Sequence, residues 1–178
     1  MSRTPKEGLD YFPLVTRFED KVELLIAEFG SRAVGIITSL YQKIYSNGYY
    51  TNWNDDVLML FARYLNEEKT VINDVIKRCF DREIFDKSMY ENYGILTSRG
   101  IQKQYLKVCK DARRTKVVMI KEFCLINGNC DEFKSIITEF ISINDENKPI
   151  NDSENTQSKV KESKENNTVK NKDGYTKE

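Results

Sequence analysis

The sequence predicts a mainly α-helical domain with a small β-sheet. Three observations predict it. Apolar residues recur at helical spacing in five stretches between Phe18 and Ala112. β-prone residues gather only in short runs, at 49–53, 84–85 and 95–97. Residues that cap or stop helices, such as Gly30, Gly48, Asn54 and Ser98, stand at the joins.

Phe18, Val22, Leu25, Ile26 and Phe29 form one face of a first helix. Glu19 and Asp20 suit its positive N-terminal end, and Gly30 stops it. Ser31 is placed to cap a second helix, with Ala33, Ile37, Leu40, Tyr41 and Ile44 inward and Asn47-Gly48 as its end. Tyr49–Trp53 reads as a strand. Asn54 caps a third helix that turns Val57, Phe61, Tyr64 and Leu65 inward, with Asp55 and Asp56 in its first turn. Thr70 caps a fourth, whose stripe is Ile72, Val75, Ile76, Cys79 and Phe80. Ile84–Phe85 and Ile95–Thr97 read as two strands around a loop holding Asn92, Tyr93 and Gly94. Ser98 opens a last helix, burying Ile101, Tyr105, Val108, Cys109 and Ala112.

Without its first and last helices this order is that of a winged helix-turn-helix, so residues 9–112 are expected to form a winged-helix domain with extra N- and C-terminal helices. Residues 1–8 form a flexible lead-in. Residues 113–143 are a helical or mixed extension: Phe133, Ile136, Ile137, Phe140 and Ile141 show helical period, while Lys116–Ile126 fits either a helix or a strand. Residues 144–178 hold seven lysines and eight acids but only Ile150, Val160, Val169 and Tyr175 as large apolar residues. That segment cannot bury enough surface to offset its ordering entropy and is expected to be a disordered polar tail.

Specific segments resemble a known family. They are Gly8-Leu-Asp-Tyr-Phe-Pro-Leu14, Ala27-Glu-Phe-Gly30, Lys43-Ile-Tyr-Ser-Asn-Gly-Tyr-Tyr50, Trp53 and Tyr93-Gly-Ile-Leu-Thr-Ser-Arg-Gly-Ile-Gln-Lys-Gln-Tyr105. In this order and spacing they resemble the N-terminal domain of phage and prophage replisome organizers, related to the DnaD-like primosome proteins. The resemblance covers roughly residues 8 to 108. It implies a winged-helix module of replication initiation, without catalysis, in a bacterial host cytoplasm. It implies replication proteins as partners, such as a helicase or its loader, and self-association in which an N-terminal arm takes part. Ser158-Lys-Val-Lys-Glu-Ser-Lys164 resembles the linkers that lead, in longer relatives, to a C-terminal DnaD-like domain. That domain is not in these 178 residues, and its contacts are not carried over.

Composition narrows the chemistry. There is no histidine, which removes the commonest general base and metal ligand. Cys79, Cys109, Cys124 and Cys130 include no C-x-x-C pair, which argues against zinc and leaves free thiols in a reducing compartment. Cys79 and Cys109 fall on apolar faces and read as small core hydrophobes. Neither a signal peptide nor a membrane-length apolar run is visible. No nucleophile elbow, phosphate loop, dinucleotide fingerprint or metal-ligand cluster appears. Asp55-Asp56 and Glu67-Glu68 are adjacent, so each pair diverges on a helix and serves the helix end better than catalysis. The sequence is therefore read as a non-enzyme without a cofactor.

Formal charge is zero, with 28 basic and 28 acidic residues, but the charges segregate. Thr97–Lys121 carries eight basic residues and one acid, whereas Glu122–Glu146 carries six acids and one lysine. Arg99, Lys103, Lys107, Lys110 and Arg114 are spaced 4, 4, 3 and 4 residues apart and share one face of the last helix. Like charges at that spacing repel, and a phosphate backbone would offset the cost through counterion release. The plainer reading is a solvated face. Arg113 adds to the same basic run. On the fourth helix Lys77 and Arg78 are the candidate DNA contacts, but Asp74 and Asp81 stand beside them and cancel their charge. Tyr11, Phe12 and Pro13 form an aromatic arm, read either as core packing within one chain or as an oligomerisation element. The function expected is weak, non-sequence-specific DNA binding with recruitment of replication proteins. The alternatives are a winged-helix transcription regulator and an oligomerisation module without DNA contact.

Overall fold

The computed structural model of the 178-residue chain describes residues 8–126 and 136–143. Helix α1 (Asp20–Phe29) and helix α2 (Ser31–Asn47) are joined at Gly30, whose φ of 68° folds one back on the other. That left-handed angle comes at no steric cost to glycine. Strand β1 (Thr51–Asn52) follows, then helix α3 (Asp55–Leu65) and helix α4 (Lys69–Asp81). Helix α1 packs on α2 and α4, and α3 packs on α4. Leu25, Ile37, Leu40, Ile72 and Val75 are fully buried between them. Asn54 caps α3 as expected, accepting from the Val57 N–H at 2.9 Å. Two other expected caps shift. Ser31 and Thr70 lie inside their helices, and Gly30 and Glu68 take the cap positions without a side-chain bond to a helix N–H. Tyr64, expected inside, is exposed. The buried stripe of α3 is Leu58, Phe61 and Ala62, with Val57 and Leu65 packed at its edges.

The small sheet departs from expectation. Strand β1 pairs antiparallel with β2 (Ile95–Leu96), Thr51 opposite Leu96 and Asn52 opposite Ile95. Ile84–Phe85 is not a strand. Glu83 turns left-handed (φ 56°), and the N–H groups of Ile84 and Phe85 donate back to Cys79 O at 2.8 and 3.4 Å, closing the end of α4. Their side chains are buried in the core. Only the Asp86 N–H reaches the other arm of the expected hairpin, donating to Thr97 O at 2.8 Å. Asp86 then accepts from the Met89 N–H at 3.0 Å and starts helix α5 (Lys87–Tyr93) where a wing loop was expected. The expected three-strand sheet is thus a two-strand sheet, with a short helix in place of the hairpin.

Helix α6 (Arg99–Asp111) begins at Ser98, whose hydroxyl accepts from the Ile101 N–H. Ile101, Tyr105, Val108 and Cys109 are buried as expected; Ala112 is exposed, because α6 ends one residue earlier. Beyond it, Val117, Met119, Ile120, Phe123, Cys124 and Ile126 join the same core. Strand β3 (Val118–Ile120) runs parallel to β4 (Glu139–Ile141), Met119 opposite Phe140. The helical reading of Phe140 and Ile141 is corrected by this pairing. β-branched residues at 117–118 and 136–138 fit a pleated surface, and Thr138 anchors it by exchanging bonds with the Val117 backbone. A single 3₁₀ turn, Lys121–Phe123, follows β3. Its Glu122 accepts from the Ser142 hydroxyl and the Ile143 N–H, and the first of these bonds chiefly holds the carboxyl below its usual 4.5. Phe133 and Cys130 of the extension and the tail 144–178 lie outside the described residues.

Two polar residues tie these parts together. Gln102 is fully buried on α6. Its amide donates to Phe123 O at 2.8 Å and Thr97 Oγ1 at 3.3 Å, and its carbonyl accepts from the Leu125 N–H at 2.8 Å. Tyr49 Oη accepts from the Ile120 N–H at 2.7 Å, while its main-chain oxygen accepts from the Thr97 hydroxyl. Burial raises the Tyr49 phenol well above its ordinary value.

The segment before α1 lies against α2. The Leu9 N–H donates to Tyr45 O at 2.7 Å, and the Arg114 guanidinium donates to Gly8 O at 2.6 Å. A Cβ on Gly8 would run into the Ser46 carbonyl. Gly8→Ala is expected to lose about 1–3 kcal/mol of stability, since the neighbour is backbone that cannot move aside. Chemical denaturation of the variant checks this, and an unchanged midpoint would refute the tight seating of residue 8.

Candidate nucleic-acid interface

Helix α6 presents two unlike faces. One carries Ile101, Tyr105, Leu106 and Cys109 into the core. The other carries Arg99, Lys103, Lys107 and Lys110, all exposed. None of the three lysines has an ion-pair partner among the described residues. Arg99 is held on one side, its Nε donating to Leu125 O at 3.2 Å. The buried face fixes the helix, so the cations sit on a rigid support spaced at one turn, about 5.4 Å.

The expected fifth cation leaves the row. The helix ends at Asp111, Arg113 takes a left-handed angle (φ 50°), and Arg114 swings back to Gly8 O, half-buried. The stripe is therefore four residues, with Arg113 exposed beyond its end. Arg114 braces the N-terminal segment instead.

The two candidate cations of α4, Lys77 and Arg78, are committed elsewhere. Lys77 lies 3.4 Å from Asp74. Arg78 pairs with Glu28 at 2.7 Å and Asp81 at 3.3 Å, and Arg82 reaches the other Glu28 oxygen at 2.8 Å. The bonds from Arg82 and Arg78 together hold the Glu28 carboxyl below its usual range. This cluster joins α1 to α4 and leaves the outer face of α4 with balanced charge.

The arm divides. Phe12 stacks on Tyr45 with ring centroids 4.9 Å apart, while Tyr11 and Pro13 stay exposed. The arm walls a groove of about 320 Å³ with α1, Tyr41 of α2 and the first turn of α6. Burial pushes the Tyr41 phenol up to about 12, so it stays protonated and neutral. Cys79 is likewise pushed up to about 12 by burial, which makes it an inert core thiol. Among the described residues no group of acids and cysteines is placed to hold a metal ion, and no helix is long and apolar enough to cross a membrane.

A family profile described as Lin1244/Lin1753-like, N-terminal, matches residues 11–101, about half of the chain. The chain belongs to this family. An uncharacterized phage-related protein, Lin1244/Lin1753 of Listeria innocua, is 32% identical over an alignment of 175 residues that covers 93% of this chain and 57% of that relative. The Lin1244/Lin1753-like chain thus spans little more than half the length of the relative it matches. No solved structure matches it significantly. The family is phage-associated, in keeping with that part of the sequence reading. Its matched segment takes in the arm, α1–α5 and only the first turn of α6, so most of the basic row lies beyond it.

Sequence reasoning found the basic row but missed Gln102, the helix α5 and the exposed side of α3. Asp86, at the head of a run without β-branched residues, was a readable cap signal for α5. Gln102 carried no such signal, because two of its three partners lie 21 and 23 residues away.

Proposed function

We propose that this phage-family chain binds nucleic acid weakly and without sequence preference, through the phosphate backbone, as part of a replisome-organizer-like DNA-replication protein. The unpartnered lysine row of α6 is the observation that carries the reading. Lysines on a rigid helix, with no ion-pair partner among the described residues, suit a row of phosphates better than a base edge. The balanced charge of α4 speaks against major-groove reading by that helix and so against a transcription regulator. The β1–α3–α4–β2 connectivity, with β1 beside β2, suits a helix-turn-helix whose wing is reduced to α5. Recruitment of a helicase or its loader, in the host cytoplasm, follows from the resemblance to replisome organizers.

Titration of random duplex, single-stranded and own-locus DNA tests the reading. Similar affinities for the two duplexes, within about tenfold, are expected. A preference of about a thousandfold or more for one site would instead support a regulator. Absence of binding to all three would remove the DNA role.

A further inference from the structure

We propose that two copies of this chain associate through α3, antiparallel, about a two-fold axis that passes between Met59 and Leu60. The inference does not depend on DNA contact. Helix α3 buries Leu58, Phe61 and Ala62 but leaves Met59 53%, Leu60 67% and Tyr64 74% exposed. Scattered exposed apolar residues are ordinary; here three within six positions gather on the outward side of one short helix.

The charges on that face select the occupant. Asp56 stands three residues before Met59, and Arg63 stands three residues after Leu60. Seven residues are nearly two full turns, so Asp56 and Arg63 share the face that carries Leu60. Both are exposed, and neither has an ion-pair partner among the described residues. A two-fold axis at the centre of the helix brings Asp56 level with Arg63 of the second copy, and Arg63 level with its Asp56. Leu60 then meets Leu60 of the second copy, and Met59 meets Met59. One surface patch thereby satisfies itself twice, as a closed two-fold interface requires. Antiparallel helices also set their dipoles head to tail. A partner of different sequence would need this same order of acid, apolar pair and base reversed; a second copy supplies it without any further condition.

The contact is small beside a standard interface, so the association is expected to be weak, with a dissociation constant of roughly micromolar order. Sedimentation of the full chain tests it through charge exchange. Asp56→Arg alone places two arginines opposite each other on both sides of the axis; Arg63→Asp alone places two aspartates there. Each single variant is expected to dissociate at least about tenfold more readily than the wild type. Mixed one to one, the two variants pair Arg with Asp at both positions, so a mixed dimer is expected to return. The chain carrying both changes is expected to dimerise with itself. Recovery on mixing also rules out misfolding, since an unfolded variant would not be rescued by another. Leu60→Asp is expected to dissociate in every mixture. The proposal is overturned if the wild type stays monomeric at roughly 100 μM. It is also overturned if the single variants associate like the wild type, or if mixing restores nothing.

Discussion

Changing Lys103, Lys107 and Lys110 together to Glu is expected to lower affinity for random duplex DNA by at least about a hundredfold near 0.1 M salt, and equally on every sequence. The wild-type slope of log affinity against log salt is expected to be roughly −3, from three to four phosphate contacts at about −0.9 each. The value is smaller than five cations would give, because Arg114 is drawn inward to Gly8 O. The triple variant is expected to fold normally, since the three side chains face solvent and support nothing beneath them. Lys77→Ala with Arg78→Ala is expected to weaken binding far less while loosening the contact of α1 with α4, because Arg78 is spent on Glu28. Fluorescence anisotropy across a salt series reads both effects, and circular dichroism reads the fold. Unchanged affinity and slope in the triple variant would reduce the row to a solvated face.

Gln102→Ala is expected to destabilise the fold by about 3 kcal/mol. The loss leaves the Leu125 N–H and Phe123 O without their partner in a buried setting, at about 1–3 kcal/mol for each unsatisfied group. The void left by the side chain adds to it. The melting temperature is expected to fall by about 10 °C. Gln102→Leu keeps the volume but not the bonds, so it is expected to recover only the packing part. A fall of less than about 2 °C in Gln102→Ala would mean that water replaces the amide and that the clamp contributes little.

The helices were legible because their signals are local. Apolar period, the caps at Asn54 and Ser98, and the stop at Gly30 all lie within a few residues of what they govern. The failures come where distance in sequence decides. Ile84 and Phe85 have the composition of a strand, but the closing turn at Glu83 directs their N–H groups to Cys79 O. Phe140 and Ile141 fit a helix by spacing, and only β3, some twenty residues earlier, makes them a strand. In α3 nearly every turn offers an apolar residue, so period alone did not decide between Tyr64 and Leu58 for the interior. At the candidate interface, the residue types and their spacing were enough for Lys103, Lys107 and Lys110. They were not enough for Arg114, whose position depends on the left-handed angle at Arg113.

The double use of Tyr49 has a thermodynamic consequence. Its ring oxygen holds β3 while its main-chain oxygen holds Thr97, so one residue beside β1 is bound both to the end of the first sheet and to the second. Gln102 repeats the linkage from the other side. Loss of either sheet therefore strips hydrogen bonds from the other, and the two are expected to melt together. The cooperative unit is therefore expected to extend past the stretch that the family profile matches, to at least Ile126.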